Sequence, residues 1–188
     1  MKFVTFPGAR IYAHPHALAV TYPSHEITQV HDTDAHTAGY WVTGESRIPR
    51  LSLASLRNPG VLEHGRLYYA FLDCDNPGHT PWADTATRNA AVARWADHPL
   101  LADACVYSTR AGWRAVWRLA RPLMLDVANS WLSARLASLS AGLGIAIATD
   151  RNRAHIATLD PCAARWTTLY RLPFVVRDGV RQVPWIRL

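Results

Sequence analysis

The sequence predicts an α+β protein: a split βαβ antiparallel core of the RRM or ferredoxin-like kind, with an N-terminal α/β annexe. Three observations predict it. From Leu67 onward, short β-prone runs alternate with two amphipathic, alanine- and leucine-rich segments in the order β-α-β-β-α-β. Glycine and proline turn signals fall between these runs. Residues 1–66, by contrast, are rich in Pro, His, Thr and Ser and carry only short β-prone pieces, KFVTF, ALAVTY and GYWVTG. They read as an irregular module packed on something larger. The boundaries that follow are an annexe over residues 1–66 and a core over 67–188, together one domain.

Each core element has its own reason. Leu67, Tyr68, Tyr69, Phe71 and Leu72 favour a buried strand, and Asp75-Asn76-Pro77-Gly78 ends it with a turn signal. WADTATRNAAVARWADH has no internal Pro or Gly and spaces its apolar residues as a helix does. ACVYSTR and WRAVWRL are two β-like runs joined through Ala111-Gly112, a hairpin. LMLDVANSWLSARLASLSAGLG is a longer amphipathic helix stopped by Gly142 and Gly144. IAIATD and AHIATLD are short strand candidates, and PFVVRDGVRQVPWI closes the chain with an Asp178-Gly179 hairpin.

Composition narrows the function classes. With 49% hydrophobic and 18% charged residues, 8 Trp and 7 Tyr, the chain of 188 residues has the makings of a folded core. No apolar run reaches membrane-spanning length, and MKFVTFPGARIYAHPH lacks the apolar centre of a signal peptide. Cys74, Cys105 and Cys162 have neither a disulfide framework nor zinc-ligand spacing. A reducing, cytoplasmic setting is expected. Lys2 is the only lysine, so the basic charge is carried by arginine. Residues 1–109 carry a formal charge of −2 and residues 110–188 one of +8. A basic half beside a carboxylate-bearing half suits a polyanion such as nucleic acid or a nucleoside triphosphate; the plainer alternative is a soluble arginine-rich surface.

Three clusters carry chemistry. Asp73 and Asp75 lie two residues apart on the first core strand and so project from one face. Two carboxylates that close repel unless a divalent cation or arginines lie between them; the alternative is a solvated strand end. In YSTRAGWRAVW, the hydroxyls of Ser108 and Thr109, the bend at Gly112, and Arg110 and Arg114 make a phosphate-gripping hairpin. The alternative there is an ordinary hairpin with exposed arginines. In TLDPCAARWTTLYRLP, Asp160 ends a β-like run and is followed by Arg165 and Arg171. Brought beside Asp73 and Asp75, Asp160 completes a metal-binding triad; as the residue before Pro161 it also suits a helix N-cap. Asp150 is a rival third carboxylate. His79 is placed to meet metal or phosphate, or to be an exposed turn residue, and His14 and His16 share a face if extended. Three carboxylates on such a sheet, with the arginine hairpin between them, suit two-metal phosphoryl transfer, the arginines on the triphosphate and the basic half on a template.

The ordered set FLDCDNPGH, YSTRAGWRAVWRL and LDPCAARWTTLYRLP resembles the archaeo-eukaryotic primase superfamily, and within it the bifunctional primase-polymerase (prim-pol) catalytic domains, over roughly residues 65–175. The resemblance implies that Asp73 and Asp75 are the first-motif metal ligands, Asp160 the third-motif carboxylate, and the 107–114 hairpin the nucleotide-binding second motif. Where that family usually has a strand-borne histidine, this chain has Gly112-Trp113-Arg114, so Arg114 would replace it. Arg171 would face phosphate or template. The expectation is a DNA primase or primase-polymerase core that uses two Mg²⁺ or Mn²⁺ ions, nucleoside triphosphates and a single-stranded DNA template. Asp73, Asp75 and Asp160 hold metal; Ser108, Arg110, Arg114 and Arg171 bind nucleotide; Arg165 and Trp113 meet nucleic acid. The chain has no GxxxxGK[ST] loop, so a separate helicase or accessory replication subunit is an expected partner. The alternatives are a binding module that does not synthesise and a metal-dependent nuclease.

Overall fold

The structure is a computed structural model. It describes residues 66–166 continuously, together with strand segments before residue 46 and, between 168 and 187, residues 168–171, 176–177, 180–181 and 183–187. His14, His16, Asp178 and Gly179 lie outside the described residues. In chain order the strands begin with β1 (Phe6–Pro7), β2 (Arg10–Tyr12), β3 (Thr21–Tyr22), β4 (Glu26–Ile27), β5 (Tyr40–Val42) and β6 (Gly44–Glu45). The long strand β7 (Arg66–Asp75) runs into a 3₁₀ turn, Pro77–His79, and then α1 (Thr85–Ala96) and a second 3₁₀ turn, Pro99–Leu101. Next come β8 (Cys105–Thr109), β9 (Gly112–Met124), α2 (Leu125–Leu143), β10 (Thr158–Leu159) and a third 3₁₀ turn, Pro161–Ala164. β11 (Leu169–Arg171), β12 (Val176–Arg177), β13 (Val180–Arg181) and β14 (Ile186–Arg187) complete the chain.

The chain forms two compact units. One comprises Met1–Tyr69, Arg118–Asn129 and Arg165–Val183; the other comprises Ala70–Trp117, Ser130–Ala164 and Pro184–Leu188. In the first, β11, β5, β2 and β3 make a four-stranded antiparallel sheet and β1 pairs with β4. β12 and β13 pair antiparallel across two residues, the hairpin that Asp178-Gly179 predicts.

The second unit carries the α+β core. Its strands run β10-β7-β9-β8-β14 across the sheet. Counted within the core, β7, β8, β9 and β10 are strands one to four, so the order is four-one-three-two, the split βαβ arrangement. β14 is an addition on the outer edge of β8.

Alternation decides which side chains face the core. Leu72 and Cys74 of β7, Val106 of β8, and Trp113, Ala115 and Trp117 of β9 join one apolar cluster with Val92 and Ala96 of α1 and Leu136, Leu139 and Leu143 of α2. Each such leucine contributes about 1.5–3 kcal/mol by leaving water. α2 buries Leu125, Ala128, Leu132, Leu136, Leu139 and Leu143, spaced three and four apart along one stripe.

The helix ends are closed chemically. Asp84 caps α1 by accepting from the Thr87 N–H at 2.7 Å. At the far end of α1, Arg187 of β14 donates to the carbonyls of Ala96 and Leu101. α2 ends in a Schellman turn: Gly144, at φ +67°, donates to the Ala141 carbonyl and Ile145 to that of Ser140. Gly142 is still helical, so Gly144 alone ends the helix.

Two local readings are corrected. The β8–β9 bend is Arg110-Ala111, and Gly112 is the first paired residue of β9, opposite Thr109. IAIATD does not form a strand; only Ile147 makes a single bridge, to Leu159. Ala146 and Ala148 exchange backbone hydrogen bonds with Leu159, and the Ile147 carbonyl is taken by the turn that follows, where it accepts from the Asn152 amide at 3.0 Å.

Candidate active site

Asp73 and Asp75 share one face of β7, opposite Leu72 and Cys74. β10 lies antiparallel beside this end, Thr158 opposite Asp75 and Leu159 opposite Cys74. The ladder continues one step further, because the Asp160 N–H donates to the Asp73 carbonyl at 2.8 Å. Asp160 therefore stands across from Asp73 and completes a group of three carboxylate residues on one face. Asp150 is elsewhere, its side chain 98% exposed and 3.3 Å from Arg153.

On the other flank of β7, Arg114 of β9 reaches Asp73. Its Nη2 is 2.5 Å from Asp73 Oδ2, and both residues are 8% exposed. Its Nη1 donates to Tyr107 Oη at 3.3 Å, and Tyr107 is paired opposite Arg114 in the β8–β9 ladder. An Asp73–Arg114–Tyr107 row thus crosses three adjacent strands. Tyr107 escapes a reading of the sequence for charged motifs; its signal is the hairpin register, which sets it opposite Arg114.

The electrostatics follow from burial and like charge. Burial, then the Asp73 charge, push the Asp75 carboxyl up to about 6; Asp160 adds to the rise, and His79 and Arg114 oppose it. His79 Nδ1 lies 3.4 Å from Asp75 Oδ1, on an exposed turn where His79 itself has φ +54°. Burial pushes the Tyr107 hydroxyl up to about 12, so it stays protonated. Burial works against the charge on Arg114, but Asp73 and Tyr107 outweigh it and hold the guanidinium ionised. The Cys74 thiol is raised by burial and by both aspartates, which leaves it without nucleophilic character.

Gly112 fastens this end of the sheet. A Cβ there would overlap the Cys74 carbonyl of β7. What approaches the Gly112 backbone is therefore the neighbouring strand. The Asn76 N–H donates to the Ala111 carbonyl at 2.7 Å, and Trp82 Nε1 lies 3.1 Å from the carbonyls of Thr109 and Gly112. The β8–β9 tip is tied to the turn that follows Asp75.

The donor set suits a hard cation within limits. Asp73 Oδ1 is buried and has no hydrogen-bond partner, and Asp75 is the next carboxylate on the same face. Asp160 Oδ1 accepts from the Cys162 N–H at 2.8 Å, the capping role its place before Pro161 predicts. Among the described residues, no three of His, Cys, Asp and Glu are arranged to hold a metal ion. A magnesium-like ion is commonly held by one or two carboxylates with substrate oxygens and water filling its other positions. Asp73 Oδ1 and Asp75 fit that pattern.

The remaining predicted residues divide. Arg110 is exposed at the hairpin tip. Ser108 is 4% exposed, and its Oγ accepts from the Trp185 N–H at 2.8 Å, so the hydroxyl fastens the segment before β14 where a nucleotide contact was expected. Trp113 is 2% exposed and stacked on Trp95 in the core at 5.5 Å, which withdraws it from nucleic acid. It shares its face with Ala115 and Trp117, and that alternation was the available signal. Arg165 is exposed in the first unit. The Arg171 backbone pairs with Tyr40 in β11, and its side chain lies outside the described residues. No helix among the described residues is long and apolar enough to cross a membrane.

No family model and no curated protein matches this chain. Among solved structures, the polymerase domain of Mycobacterium tuberculosis Ligase D in complex with DNA is similar, at 15% identity and a TM-score of 0.49, over 78% of this chain and 51% of that one. The chain thus spans about half the length of that structure, and a likeness this distant transfers no function.

Proposed function

We propose that this chain is a template-dependent nucleotidyltransferase, a DNA primase or primase-polymerase core acting on single-stranded DNA with nucleoside triphosphates. One observation carries the reading: Asp73, Asp75 and Asp160 gather on a single sheet face, with an orphaned buried oxygen on Asp73. A divalent cation, Mg²⁺ or Mn²⁺, supplies charge neutralisation for a transferring phosphoryl group and its leaving pyrophosphate. Asp73 and Asp75 hold that ion, and Asp160 adds negative charge across the ladder from Asp73. Arg110, exposed on a tip tied to the same turn, grips the triphosphate, while Arg165 and Arg171 serve phosphate or template. Arg114 positions Asp73. A separate helicase or accessory subunit would open duplex templates.

A second reading has its own support. The Arg114 guanidinium lies on Asp73 Oδ2, a place a cation would otherwise take. That contact favours a nucleic-acid-binding module which keeps the fold without synthesis.

The test is synthesis on single-stranded DNA, primed and unprimed, with labelled nucleotides and either metal. Wild type is compared with Asp73→Ala/Asp75→Ala and with Asp160→Ala. Template-dependent product that disappears in the double variant and falls in Asp160→Ala is expected. No product with either metal, while all three proteins still bind DNA, would overturn the enzyme in favour of the module.

A further inference from the structure

The three carboxylate residues have a formal charge of −3, and the Asp73–Arg114 pair reduces it to −2 before any ligand arrives. One divalent cation cancels that charge; two would overshoot it. Some ligand oxygens are already engaged, Asp73 Oδ2 by Arg114 at 2.5 Å and Asp160 Oδ1 by the Cys162 N–H at 2.8 Å, while Asp73 Oδ1 is buried without a hydrogen-bond partner.

Arg114 is also poorly placed to swing aside. It sits inside the sheet at 8% exposure, and its second nitrogen donates to Tyr107, itself 1% exposed and paired opposite it. The guanidinium carbon lies 5.8 Å from the centre of the Tyr107 ring. Its position is therefore built by the register of two strands, and the planar fork is kept ionised by partners on both sides.

We infer that the Arg114 guanidinium is a built-in cation that takes one of two cation places at the carboxylates, so that the chain binds one divalent ion there, on Asp73 Oδ1 and Asp75. The inference rests on the reading of these aspartates as cation ligands. It departs from the two ions that the sequence resemblance implies: the charge of the second is supplied by the chain itself. Arg114 is then a positioning residue for Asp73, and the protein needs less metal than a site built from three free carboxylates.

The experiment counts ions and does not depend on turnover. The full chain is titrated with Mn²⁺ alone, free ion being read by its electron paramagnetic resonance signal and stoichiometry checked by calorimetry. Wild type binds one ion, Asp75→Asn binds none, Arg114→Lys keeps one, and Arg114→Met, with the charge removed, gains a second. Circular dichroism reports whether Arg114→Met is folded; if it is not, Arg114→Gln, which keeps a hydrogen-bonding group without the charge, replaces it. Two ions on the wild type would overturn the inference and leave the proposed cation chemistry standing. One ion on both the wild type and the folded neutral variant would also overturn it, because the arginine would then be withholding nothing. No ion on any variant would overturn both the inference and the cation role of the aspartates.

Discussion

Trp113 and Arg114 are neighbours in β9, only 2% and 8% exposed, and they reach that depth by opposite means. Trp113 faces the helices and stacks on Trp95 among leucine and alanine side chains. Arg114 faces the other way and is held by Asp73 and Tyr107. The apolar face gains free energy with every area removed from water. The charged face gains little, since the cost of desolvating an ion pair about equals its attraction; what it obtains is a fixed geometry. One strand therefore does both jobs, with stability on one side and the carboxylate site on the other.

The largest effects should separate the two sides. Trp113→Ala empties a packed site and should cost about 3–5 kcal/mol in urea unfolding. Arg114→Met leaves Asp73 charged and unpaired and should cost a similar amount, about 3–5 kcal/mol. The difference lies in rescue. Adding Asp73→Leu to Arg114→Met removes the stranded charge and should restore most of the lost stability. No single second substitution of that kind restores Trp113→Ala. If Asp73→Leu does not rescue, the pair is not what holds Arg114 in place, and the contrast between the faces fails.

Next in size is the seam between the two strands. Gly112→Ala would force a methyl group into the Cys74 carbonyl, and since that atom is backbone the strands must part. A cost of about 1–3 kcal/mol is expected from such overpacking. The metal count should fall as well, because β9 is pushed away from β7 at the Cys74–Asp75 backbone. Gly144→Ala, at the open end of α2, should lower stability through its positive φ alone and leave ion binding unchanged. A Gly112→Ala protein with unaltered ion binding would show that the seam does not position the carboxylates.

The legible and the hidden parts of this molecule differ for a physical reason. The β-α-β-β-α-β order was readable because periods of two and of three to four residues are written into the chain itself, in Leu67–Cys74 and in the leucine stripe of α2. Asp73 and Asp75 were readable because they lie on one strand, and Asp160 because its proline marks a turn. The Asp73–Arg114 pair was not. It depends on which residues stand opposite each other across strands that are 41 positions apart, and register of that kind is set by tertiary packing. IAIATD misled for a related reason: it alternates like a strand, but Asn152 draws the Ile147 carbonyl into a turn.

The smallest effect tests the charged face by pH. Asp75 has an ordinary pKa of 3.8 and is pushed up to about 6 in the folded protein, by burial first and then by Asp73 and Asp160. Between those two values the folded state holds a proton that the unfolded chain has lost, so stability is highest below the lower value and declines as pH rises through the upper one. The Asp75 side chain is 21% exposed, so after allowance for solvent the amplitude should be about 1–2 kcal/mol. Asp75→Asn should flatten the profile. His79 opposes the rise, so His79→Ala should move the Asp75 titration, followed by carboxyl ¹³C chemical shift, to still higher pH. Diamagnetic Mg²⁺ should move it the opposite way, since a cation on the carboxylate favours the ionised form. A titration unmoved by Mg²⁺ would take Asp75 out of the cation site and leave the charged face a structural pair alone.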